Sequence, residues 1–562
     1  MSWKITSTHN HVNTCSSKFD RGTEFSEDRL LYADCFVLFL DMERSLYSLA
    51  EIGGDILSDI SEDQLMKEIE TIKDMIRKRR KKRKIRLRLY VSQIPVLLNL
   101  LRKYDIKYDV REWRSKIHTP TGDIEGVPYR VVTDFFEVVD YECLCRTAPK
   151  DIDSMLYFMS LEMGDKTWKA LRRSQASNGI RVFYSDIGEE CLEDKRKHKR
   201  YIKTKEGFDD LKAGCLAGYK GMTASLVAKV LKDVESWDKT SAYPSVFVSY
   251  DRFPVGKIVR HKKNQWGVLR RCLRTGEWFQ IVIKDDTKVI AYNNLDIIFL
   301  RKTCGLDFVN LCLENFPWVI YTSTEEGYLC DAFRKKIVDV WTLKDQEDDH
   351  EKKRFYKLQV DFLYGKGAER CDFETDEEVF RYLASPERYI LPHWSRIVVS
   401  YLRLEILEAL TMIGEERQVA YNTDGIKCFD SREVFDILNK RIAEKNALAG
   451  FSGCKIGFWK FEYRADKFLQ IDKDKYIYEI DGDLHTKIPG IPKDQLIKAI
   501  EGDPFEWFLH PHLMSLDIGW IYDSYSCTYK KRTYEGYLYR PLTMTREEAI
   551  KVVTKKEMRT VV

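Results

Sequence analysis

Residues 418–429 read QVAYNTDGIKCF, in which a polar turn separates two apolar segments. The pattern predicts two strands joined by a tight turn, with Asn422 and Asp424 at the tip. Asn and Asp before Gly also suit turns with positive φ, for purely conformational reasons. This stretch alone therefore leaves two interpretations open, a plain hairpin and a metal site.

The composition is that of a folded protein with several domains. Of 562 residues, 44% are hydrophobic and 32% are charged, and a chain of this length is expected to form about three or four domains. The formal net charge is only +4, so a role with nucleic acid would have to depend on local basic clusters. The 14 cysteines are scattered, which favours neither a zinc ribbon nor a disulfide framework. Without a signal peptide or a long apolar run, we expect a cytoplasmic location and no membrane contact.

The N-terminal part alternates strand and helix patterns. Residues 1–28 are polar and predict a loose tail, whereas residues 29–200 predict an α/β domain. A charged segment at residues 191–205, CLEDKRKHKRYIKTK, is interpreted as a surface linker. The remainder combines long helical patterns with short aromatic and β-branched strands, so we expect an α+β multidomain protein.

A second acidic residue lies at the end of an apolar-flanked strand. Residues 234–249 read VESWDKTSAYPSVFVS, which places Asp238 at the end of the strand and Ser241 and Tyr243 in the turn after it. One carboxylate at a strand end is common, so the partners of Asp238 have to come from elsewhere in the chain.

A helical segment supplies a lysine and a tyrosine. Residues 356–369 read YKLQVDFLYGKGAE, where Lys357, Asp361 and Tyr364 recur at spacings that place them on one helix face. Gly365 follows, where it could end or kink the helix.

These parts match the needs of nucleotidyl transfer. Asp238 and Asp424 could hold two Mg²⁺ or Mn²⁺ ions, one activating a 3′-hydroxyl and one gathering a triphosphate. Lys357 can neutralise phosphate charge that develops in the transition state. The flat ring of Tyr364 can stack against a sugar or a base.

The three segments resemble the conserved motifs of family B DNA polymerases. WDKTSAYPS resembles motif A, KLQVDFLYGK motif B and AYNTDGI motif C, and they occur in the same order. The resemblance implies a DNA-directed DNA polymerase with a ribonuclease H-like α/β exonuclease-type domain followed by a right-hand palm, fingers and thumb. It implies that Asp238 and Asp424 are the catalytic metal ligands, with Tyr243 as a steric gate against a ribose 2′-hydroxyl. The implied nucleotide-binding residues are Tyr243, Ser241, Lys357, Tyr364 and Lys344.

The resemblance extends to the protein-primed branch of this family. AGYKGM, residues 217–222, resembles its template-binding loop, with Tyr219 and Gly221 in place. The interval between motifs A and B is long enough for the terminal-protein region of this branch, and AFRKKIVDVWTLK, residues 332–344, resembles its closing helix. The implied partners are a DNA primer-template, dNTPs and a terminal protein primer, for a monomeric enzyme in the host cytoplasm.

A further strand pair resembles the primer-contact region of this branch. Residues 456–479 include Lys473, Lys475 and Tyr476 near the place of a Lys-x-Tyr motif, but neither lysine has the strict spacing. All three are candidate DNA-binding residues, and which lysine takes the place of the motif residue stays open. TKIPGIPKDQLIKAI, residues 486–500, resembles the start of a small thumb.

Some positions depart from the family pattern. Asn422 replaces the first Asp of motif C and Gly425 its final Ser, while Asp361 and Phe362 replace the Asn and Ser that are usual in motif B. Asp361 adds a negative charge near a triphosphate, which should weaken nucleotide binding unless Arg354 or a neighbouring lysine pairs with it.

The exonuclease motifs of the family are incomplete here. FLDMERS supplies Asp41 and Glu43, and TAPKDID supplies Asp151 with Thr147 in the position of the usual Tyr. The second motif should contribute an Asp within YVSQIPVLLNLL, residues 90–101, which has none. Because two-metal hydrolysis depends on placed carboxylates, we predict a degenerate exonuclease with weak or absent 3′–5′ proofreading.

The implied domains follow the chain in order. They are a tail at 1–28, an exonuclease-like domain at 29–200, a linker with the template-binding loop at 201–233, palm with the terminal-protein-region insertion at 234–340, fingers at 341–395, palm at 396–484, and thumb with a C-terminal extension at 485–562. Two other functions stay open: a catalytically weak, polymerase-like nucleic-acid-binding protein, and a polymerase with a functional exonuclease. Untemplated or RNA-templated synthesis also stays open.

Overall fold

The computed structural model describes residues 35–539 with internal gaps. The gaps are 42–45, 52–55, 80–86, 93, 119–123, 134–135, 142–149, 164–174, 199–201, 214–217, 285–288, 304–309, 311–312, 370, 473–474, 489–490, 492 and 524–527. The predicted tail at 1–28 lies outside the described residues. The chain divides into two compact units: the first takes residues up to 182 with 349–355 and 515–537, and the second takes 183–348, 356–514 and 538 onward.

The first unit is built on a mixed sheet. Its strands are β1 (Cys35–Asp41), β2 (Leu46–Glu51), β3 (Ile56–Ile60), β4 (Leu87–Val91), β5 (Tyr108–His118), β6 (Ile124–Thr133) and β7 (Phe136–Asp140), and the chain returns to it with β23 (His512–Asp523) and β24 (Thr528–Tyr539). The strand order is β24-β23-β6-β7-β4-β1-β2-β3, with β5 also paired to β6. Strands β1, β4 and β7 are parallel. The helices are α1 (Glu62–Arg79), α2 (Ile94–Lys103) and α3 (Ile152–Met163), and α4 (Gln175–Phe183) follows.

Helices cover both faces of this sheet. Successive side chains of a strand point to opposite faces, and in β4 Leu89 packs with α1 and α2 whereas Tyr90 packs with α3. Helices on both faces of a sheet with parallel strands are the arrangement expected from the alternating strand and helix patterns of this region. The α/β fold of the N-terminal part is therefore confirmed.

The second unit contains most of the remaining elements. Its strands are β8 (Lys220–Met222), β9 (Val230–Leu231), β10 (Val234–Lys239), β11 (Phe253–Pro254), β12 (Ile258–Arg260), β13 (Phe279–Lys284), β14 (Val289–Asn293), β15 (Trp318–Ser323), β16 (Glu326–Gly327), β17 (Gln418–Asn422), β18 (Gly425–Cys428), β19 (Trp459–Ala465), β20 (Lys467–Asp472), β21 (Lys475–Ile480) and β22 (Asp483–Lys487). Its helices are α5 (Gly188–Lys197), α6 (Lys205–Lys212), α7 (Ala242–Ser249), α8 (Trp266–Thr275), α9 (Asn294–Thr303), α10 (Asp331–Gln346), α11 (His350–Gly367, from Tyr356 onward in this unit), α12 (Asp376–Leu383), α13 (Pro392–Ile413), α14 (Arg432–Leu448), α15 (Lys493–Ala499) and α16 (Pro504–Leu509).

Three antiparallel sheets organise the second unit. The five-stranded sheet has the order β19-β10-β18-β17-β8. A four-stranded sheet, β12-β15-β13-β14, lies in the interval between motifs A and B. Another four-stranded sheet, which we call the C-terminal sheet, has the order β22-β21-β20-β9. Three of its strands come after β19 in sequence, whereas β9 precedes β10. None of the helices in the described part of the chain has the length and apolarity of a membrane span.

The charged segment at 191–205 is mostly not a linker. Residues up to Lys197 belong to α5, and the buried ammonium group of Lys195 donates to the carbonyl oxygens of Leu383 and, at 3.1 Å, Arg388. Composition predicted exposure because lysines are rarely buried. Carbonyl acceptors that lie far away in sequence make this burial possible.

Candidate active site

The five-stranded sheet places Asp238 next to the turn that carries Asp424. Asp238 of β10 pairs with Gly425 of β18, and the Lys239 amide donates to the Asp424 carbonyl oxygen at 2.8 Å. One residue earlier, the Trp237–Ile426 pair packs into the core formed with α13 and α14. Because side chains alternate along a strand, this buried pair turns Asp238 to the opposite face of the sheet.

The turn between β17 and β18 is strained at an unexpected residue. Thr423 has a φ of 54°, whereas neither Asn422 nor Gly425 has positive φ. A β-branched residue is disfavoured there by about 1–3 kcal/mol. The Thr423 amide donates to the Tyr219 carbonyl oxygen at 2.8 Å, and its hydroxyl to the side-chain oxygen of Asn422 at 3.1 Å. Backbone geometry therefore does not explain the Asn and the Gly of this turn.

Burial and neighbouring negative charge make ionisation of Asp238 unfavourable. Burial, followed by the charges of Asp424 and Glu462, raises the pKa of Asp238 to about 7, although Lys357 and Lys427 act in the opposite direction. Burial also raises the pKa of Asp424, partly offset by Lys487 and Lys357. Like charges held close in a half-buried site favour a bound cation.

Glu462 is a third acidic residue that the sequence did not reveal. It lies on β19 beside a register shift between Ser236 and Trp237, and the Ser236 hydroxyl donates to its Oε2 atom at 3.0 Å. Its charge raises the pKa of both Asp238 and Asp424. The pairing of β19 with β10 crosses more than two hundred residues, so no local pattern could assign Glu462 to this site.

The donor set fits a hard divalent ion. Among the described residues, no three His, Cys, Asp or Glu side chains form a ready-made metal site. Carboxylate oxygens are the ligands that Mg²⁺ prefers, and it binds through one or two of them together with waters and substrate phosphates. The pair Asp238 and Asp424 supplies that number, and Asn422 at the same tip keeps an oxygen but no charge.

The candidate nucleotide-binding residues come from three helices. Tyr243 in the first turn of α7 stacks on Tyr364 of α11, with ring centroids 4.4 Å apart and an interplanar angle of 29°. Ser241, just before α7, has a φ of 47°, and its hydroxyl accepts from the Lys344 ammonium of α10 at 3.4 Å. The structure thus brings together four candidates that are separated by up to 123 residues in sequence.

Lys357 and Asp361 follow on the same face of α11. Lys357 is exposed, and its charge lowers the pKa of Asp238, Asp424 and Asp361. Burial raises the pKa of Asp361, offset in part by Lys357 and Lys344 and reinforced by Asp424. Arg354 lies 3.9 Å from Glu351. The neighbouring lysines are therefore the cations that balance Asp361. Helix α11 continues past Gly365 and ends at Gly367.

The charge of Asp361 gives a testable effect on nucleotide affinity. In a primer-extension assay, Asp361→Asn should lower the KM for dNTP several-fold, because it frees Lys357 and Lys344 and removes repulsion of a triphosphate. Glu351→Gln, at the start of the same helix, is the matched control and should leave this KM unchanged. An unchanged or higher KM in Asp361→Asn would contradict the electrostatic argument.

The expected template-binding loop supports the motif C turn. The Tyr219 ring packs against Tyr421 and Phe299, with centroids 4.6 Å and 4.9 Å away. Gly221 pairs with Tyr421, and a Cβ atom at Gly221 would collide with the Tyr421 ring. These contacts show a structural role for the loop, while contact with a template strand stays a prediction.

The expected primer-contact residues lie on and beside β21. Lys473 lies outside the described residues. Lys475 and Tyr476 are consecutive in β21 and therefore project to opposite faces. The ammonium groups next to the Tyr476 ring are those of Lys427 and Lys487, at 4.6 Å and 5.7 Å from its centroid. Sequence reasoning missed both, because they come from other strands.

The exonuclease candidates are only partly described. Asp41 ends β1, and its side chain, like all of Glu43, lies outside the described residues. Asp151 precedes α3, and its carboxylate accepts the Ser154 amide at 2.7 Å, which lowers its pKa. Asp151 therefore acts as a helix cap. In the region of the second motif, the Ser92 hydroxyl accepts the Leu40 amide of β1 at 3.0 Å.

The fold is similar to that of phi29 DNA polymerase. The structure of that enzyme with primer-template DNA has a TM-score of 0.55 and 13% sequence identity, covering 89% of this chain and 99% of that chain. The ternary complex of that enzyme with primer-template DNA and incoming nucleotides has a TM-score of 0.55 and 12% sequence identity, with the same coverage of both chains. No protein-family model matches the chain, and no curated protein matches it in sequence. The chain thus has the multidomain fold of a family B DNA polymerase.

Proposed function

We propose that the chain is a DNA-directed DNA polymerase that adds dNMPs to a 3′-hydroxyl by two-metal nucleotidyl transfer. The observation that carries this proposal is the position of Asp424 in the turn next to Asp238, fixed by the Asp238–Gly425 pair and by the bond from the Lys239 amide to the Asp424 carbonyl oxygen, with Lys357 acting on both carboxylates. The phi29 enzyme, which shares this fold, is solved with primer-template DNA and incoming nucleotides. These molecules are the substrates that we propose here.

Each residue of the site has a role in this chemistry. Mg²⁺ or Mn²⁺ ions held by Asp238 and Asp424 would activate the 3′-hydroxyl and neutralise developing negative charge. Lys357 binds and neutralises the triphosphate. The stacked rings of Tyr243 and Tyr364 offer a flat apolar surface to the sugar and the base of the incoming nucleotide.

Primer extension tests the proposal directly. The wild-type protein should extend a primed DNA template in the presence of Mg²⁺ and four dNTPs, and Asp238→Ala and Asp424→Ala should not. Failure of the wild type on every primed template, with or without a protein primer, would contradict the proposal. Tight primer-template binding by such an inactive protein would instead favour a polymerase-like binding protein.

We further propose that synthesis starts on a hydroxyl of a terminal protein. The support is the sheet β12-β15-β13-β14, which with α8 and α9 fills the interval between motifs A and B. Protein-primed polymerases carry their terminal-protein region in this interval. Transfer of one labelled dNMP to a Ser or Tyr of a candidate terminal protein, lost in Asp424→Ala, is the expected result. Extension of DNA primers without any such transfer would refute priming by that protein.

We predict that the enzyme does not proofread. In the place of the second motif, the residue after β4 is Ser92, whose hydroxyl accepts the Leu40 amide, and residues 90–101 contain no carboxylate. Asp151, the candidate of the third motif, caps a helix. Without dNTPs, the wild-type protein should leave a labelled single strand intact under conditions in which it extends a primer. Shortening of that strand that is lost in Asp41→Ala would show a working exonuclease.

A further inference from the structure

Two cysteines from different parts of the chain meet at the start of α10. Cys191 belongs to α5 and is fully buried, whereas Cys330 directly precedes α10 and is half-buried. The Cys191 thiol donates a hydrogen bond to the sulfur atom of Cys330. Both residues lie in the second unit, and two thiols in contact are the starting arrangement for a disulfide bond.

A tyrosine hydroxyl holds together the two segments that carry these thiols. Tyr389 accepts the Cys330 amide at 2.8 Å and donates to the Asp194 carboxylate at 2.8 Å. Asp194 lies three residues after Cys191 in α5, so the two side chains share one helix face. The start of α10 and this face of α5 are therefore joined by bonds that do not involve the sulfur atoms.

The two thiols differ in acidity. The hydrogen bond from Cys191 lowers the pKa of Cys330 to about 7, and the amides of Phe333 and Ala332 in the first turn of α10 act in the same direction, although burial opposes them. The same hydrogen bond, reinforced by burial, raises the pKa of Cys191. Because the thiolate is the reactive form of cysteine, Cys330 has the properties of an attacking thiol and Cys191 those of its partner.

The other cysteines in the described part of the chain lack this acidity. Burial is the main cause that raises the pKa of Cys272, Cys371, Cys428 and Cys454. A buried thiol with a raised pKa is inert. Of the cysteines whose side chains are described, Cys330 is thus the one expected to react first with an oxidant.

We propose that Cys330 and Cys191 form a peroxide-sensitive site that closes to an intramolecular disulfide. The Cys330 thiolate attacks one oxygen of hydrogen peroxide, the O–O bond breaks, and the hydroxide that leaves takes up a proton and becomes water. The sulfur of Cys191 then attacks the sulfenic acid on Cys330, and a second hydroxide leaves as water with the Cys191 proton. Two thiols are oxidised by two electrons in total, and one peroxide is reduced to two molecules of water.

Helix α10 connects this thiol pair to the proposed nucleotide-binding residues. Arg334 in its first turn donates to the Val248 carbonyl oxygen of α7 at 3.4 Å, and Lys344 in its last turn donates to the Ser241 hydroxyl at 3.4 Å. Closing the disulfide draws the two sulfur atoms closer than their hydrogen bond does, which pulls the start of α10 toward α5. We therefore expect a several-fold higher KM for dNTP after oxidation. This effect rests on the proposed function, whereas formation of the bond does not.

Mass spectrometry of the full-length protein tests the bond without an activity assay. The reduced protein is treated with a small molar excess of hydrogen peroxide, its free thiols are blocked with N-ethylmaleimide in urea, and it is digested without reduction. A peptide pair linked through Cys191 and Cys330 should be the main product and should disappear with dithiothreitol, while Cys371 and Cys454 carry N-ethylmaleimide. Oxidation should also raise the midpoint of thermal unfolding by several degrees, because the bond closes a long loop of chain.

Variants assign each thiol its role. In Cys191→Ser, dimedone should label Cys330, because its sulfenic acid has no thiol to react with. In Cys330→Ser, Cys191 should stay reduced. Cys454→Ser, the matched control in the second unit, should form the bond as the wild type does. If circular dichroism shows that Cys191→Ser folds poorly, Cys330→Ser at its half-buried position still tests whether Cys191 needs Cys330 to be oxidised.

The outcomes separate this site from the proposed function. Wild-type protein in which Cys191 and Cys330 remain unlinked after peroxide treatment would overturn the inference, as would oxidation of Cys191 in Cys330→Ser. A linked pair with an unchanged KM for dNTP would refute the effect on nucleotide binding. A linked pair in a protein that extends no primer would support the peroxide site and contradict the polymerase proposal, whereas primer extension with both thiols unreactive would do the reverse.

Discussion

Asp238→Asn and Asp424→Asn should each reduce kcat for primer extension by about a thousandfold or more, while the KM for primer-template changes little. Metal ions supply several kcal/mol of charge stabilisation in the transition state, and each substitution removes a charged ligand without changing side-chain volume. Steady-state extension in Mg²⁺ and in Mn²⁺ measures the effect. Retention of more than a tenth of the wild-type rate by either variant would remove that residue from the metal site.

The same variants should be more stable than the wild type when no metal is present. Because the folded-state pKa of Asp238 is raised to about 7 from 3.8, the protonated carboxyl favours the folded state. This stability is present below about pH 4 and is lost as the pH rises to about 7. At pH 8 in EDTA, we expect Asp238→Asn to exceed the wild type by about 1–2 kcal/mol in free energy of unfolding, after solvent screening.

A pH series of thermal unfolding tests this sign. In EDTA, the wild-type midpoint should fall between about pH 4 and pH 7 relative to Asp238→Asn, and added Mg²⁺ at pH 8 should raise the midpoint of the wild type only. The control is Glu408→Gln, a surface variant on α13, where Glu408 pairs with Arg441. If Asp238→Asn unfolds at a lower temperature than the wild type at pH 8 without metal, ionised Asp238 does not destabilise the folded state and this prediction is wrong.

The parts of the site that depend on local pattern were predictable. Asp238 lies near the end of a predicted strand, Lys357 and Tyr364 share a helix face, and Asp424 lies in a turn between two apolar strands. Each statement needs only the periodicity of one element. The order of the three segments along the chain then supplied the fold, because the family resemblance depends on that order.

The parts that depend on long-range register were not predictable. Glu462 reaches the site only through a strand pairing that crosses more than two hundred residues, and a one-residue shift in register would turn its side chain away. Lys487 lies opposite Tyr476 in the short hairpin of β21 and β22, but its effect on Asp424 also depends on where this hairpin lies in the fold. Lys427 alternates with buried Ile426 and Cys428 in β18, yet no local signal says that it meets Tyr476. The positive φ of Thr423 also has no signature in sequence, since it follows from the bond that its amide makes to Tyr219.

Lys357→Met should lower kcat/KM for dNTP by about 100- to 1000-fold. Removal of one placed donor to a developing negative charge costs about that much, and Lys357 is the lysine that acts on Asp238, Asp424 and Asp361 together. Lys357→Arg should recover part of the rate, because it keeps the charge but changes its geometry. Single-nucleotide incorporation at varied dNTP concentration, with primer-template saturating, gives kcat and KM separately.

A control variant and the pH dependence of the rate decide whether Lys357 acts on the substrate or only on the carboxylates. Lys352→Met, five residues earlier and hence on another face of α11, should leave kcat/KM within about twofold of wild type. If Lys357 only balanced Asp238 and Asp424, Lys357→Met would raise the pKa of both carboxylates and higher pH would restore its rate. A loss that persists from pH 7 to pH 9 and falls mainly on the dNTP step would instead place the ammonium group on the triphosphate. Full recovery at high pH would contradict a direct role in nucleotide binding.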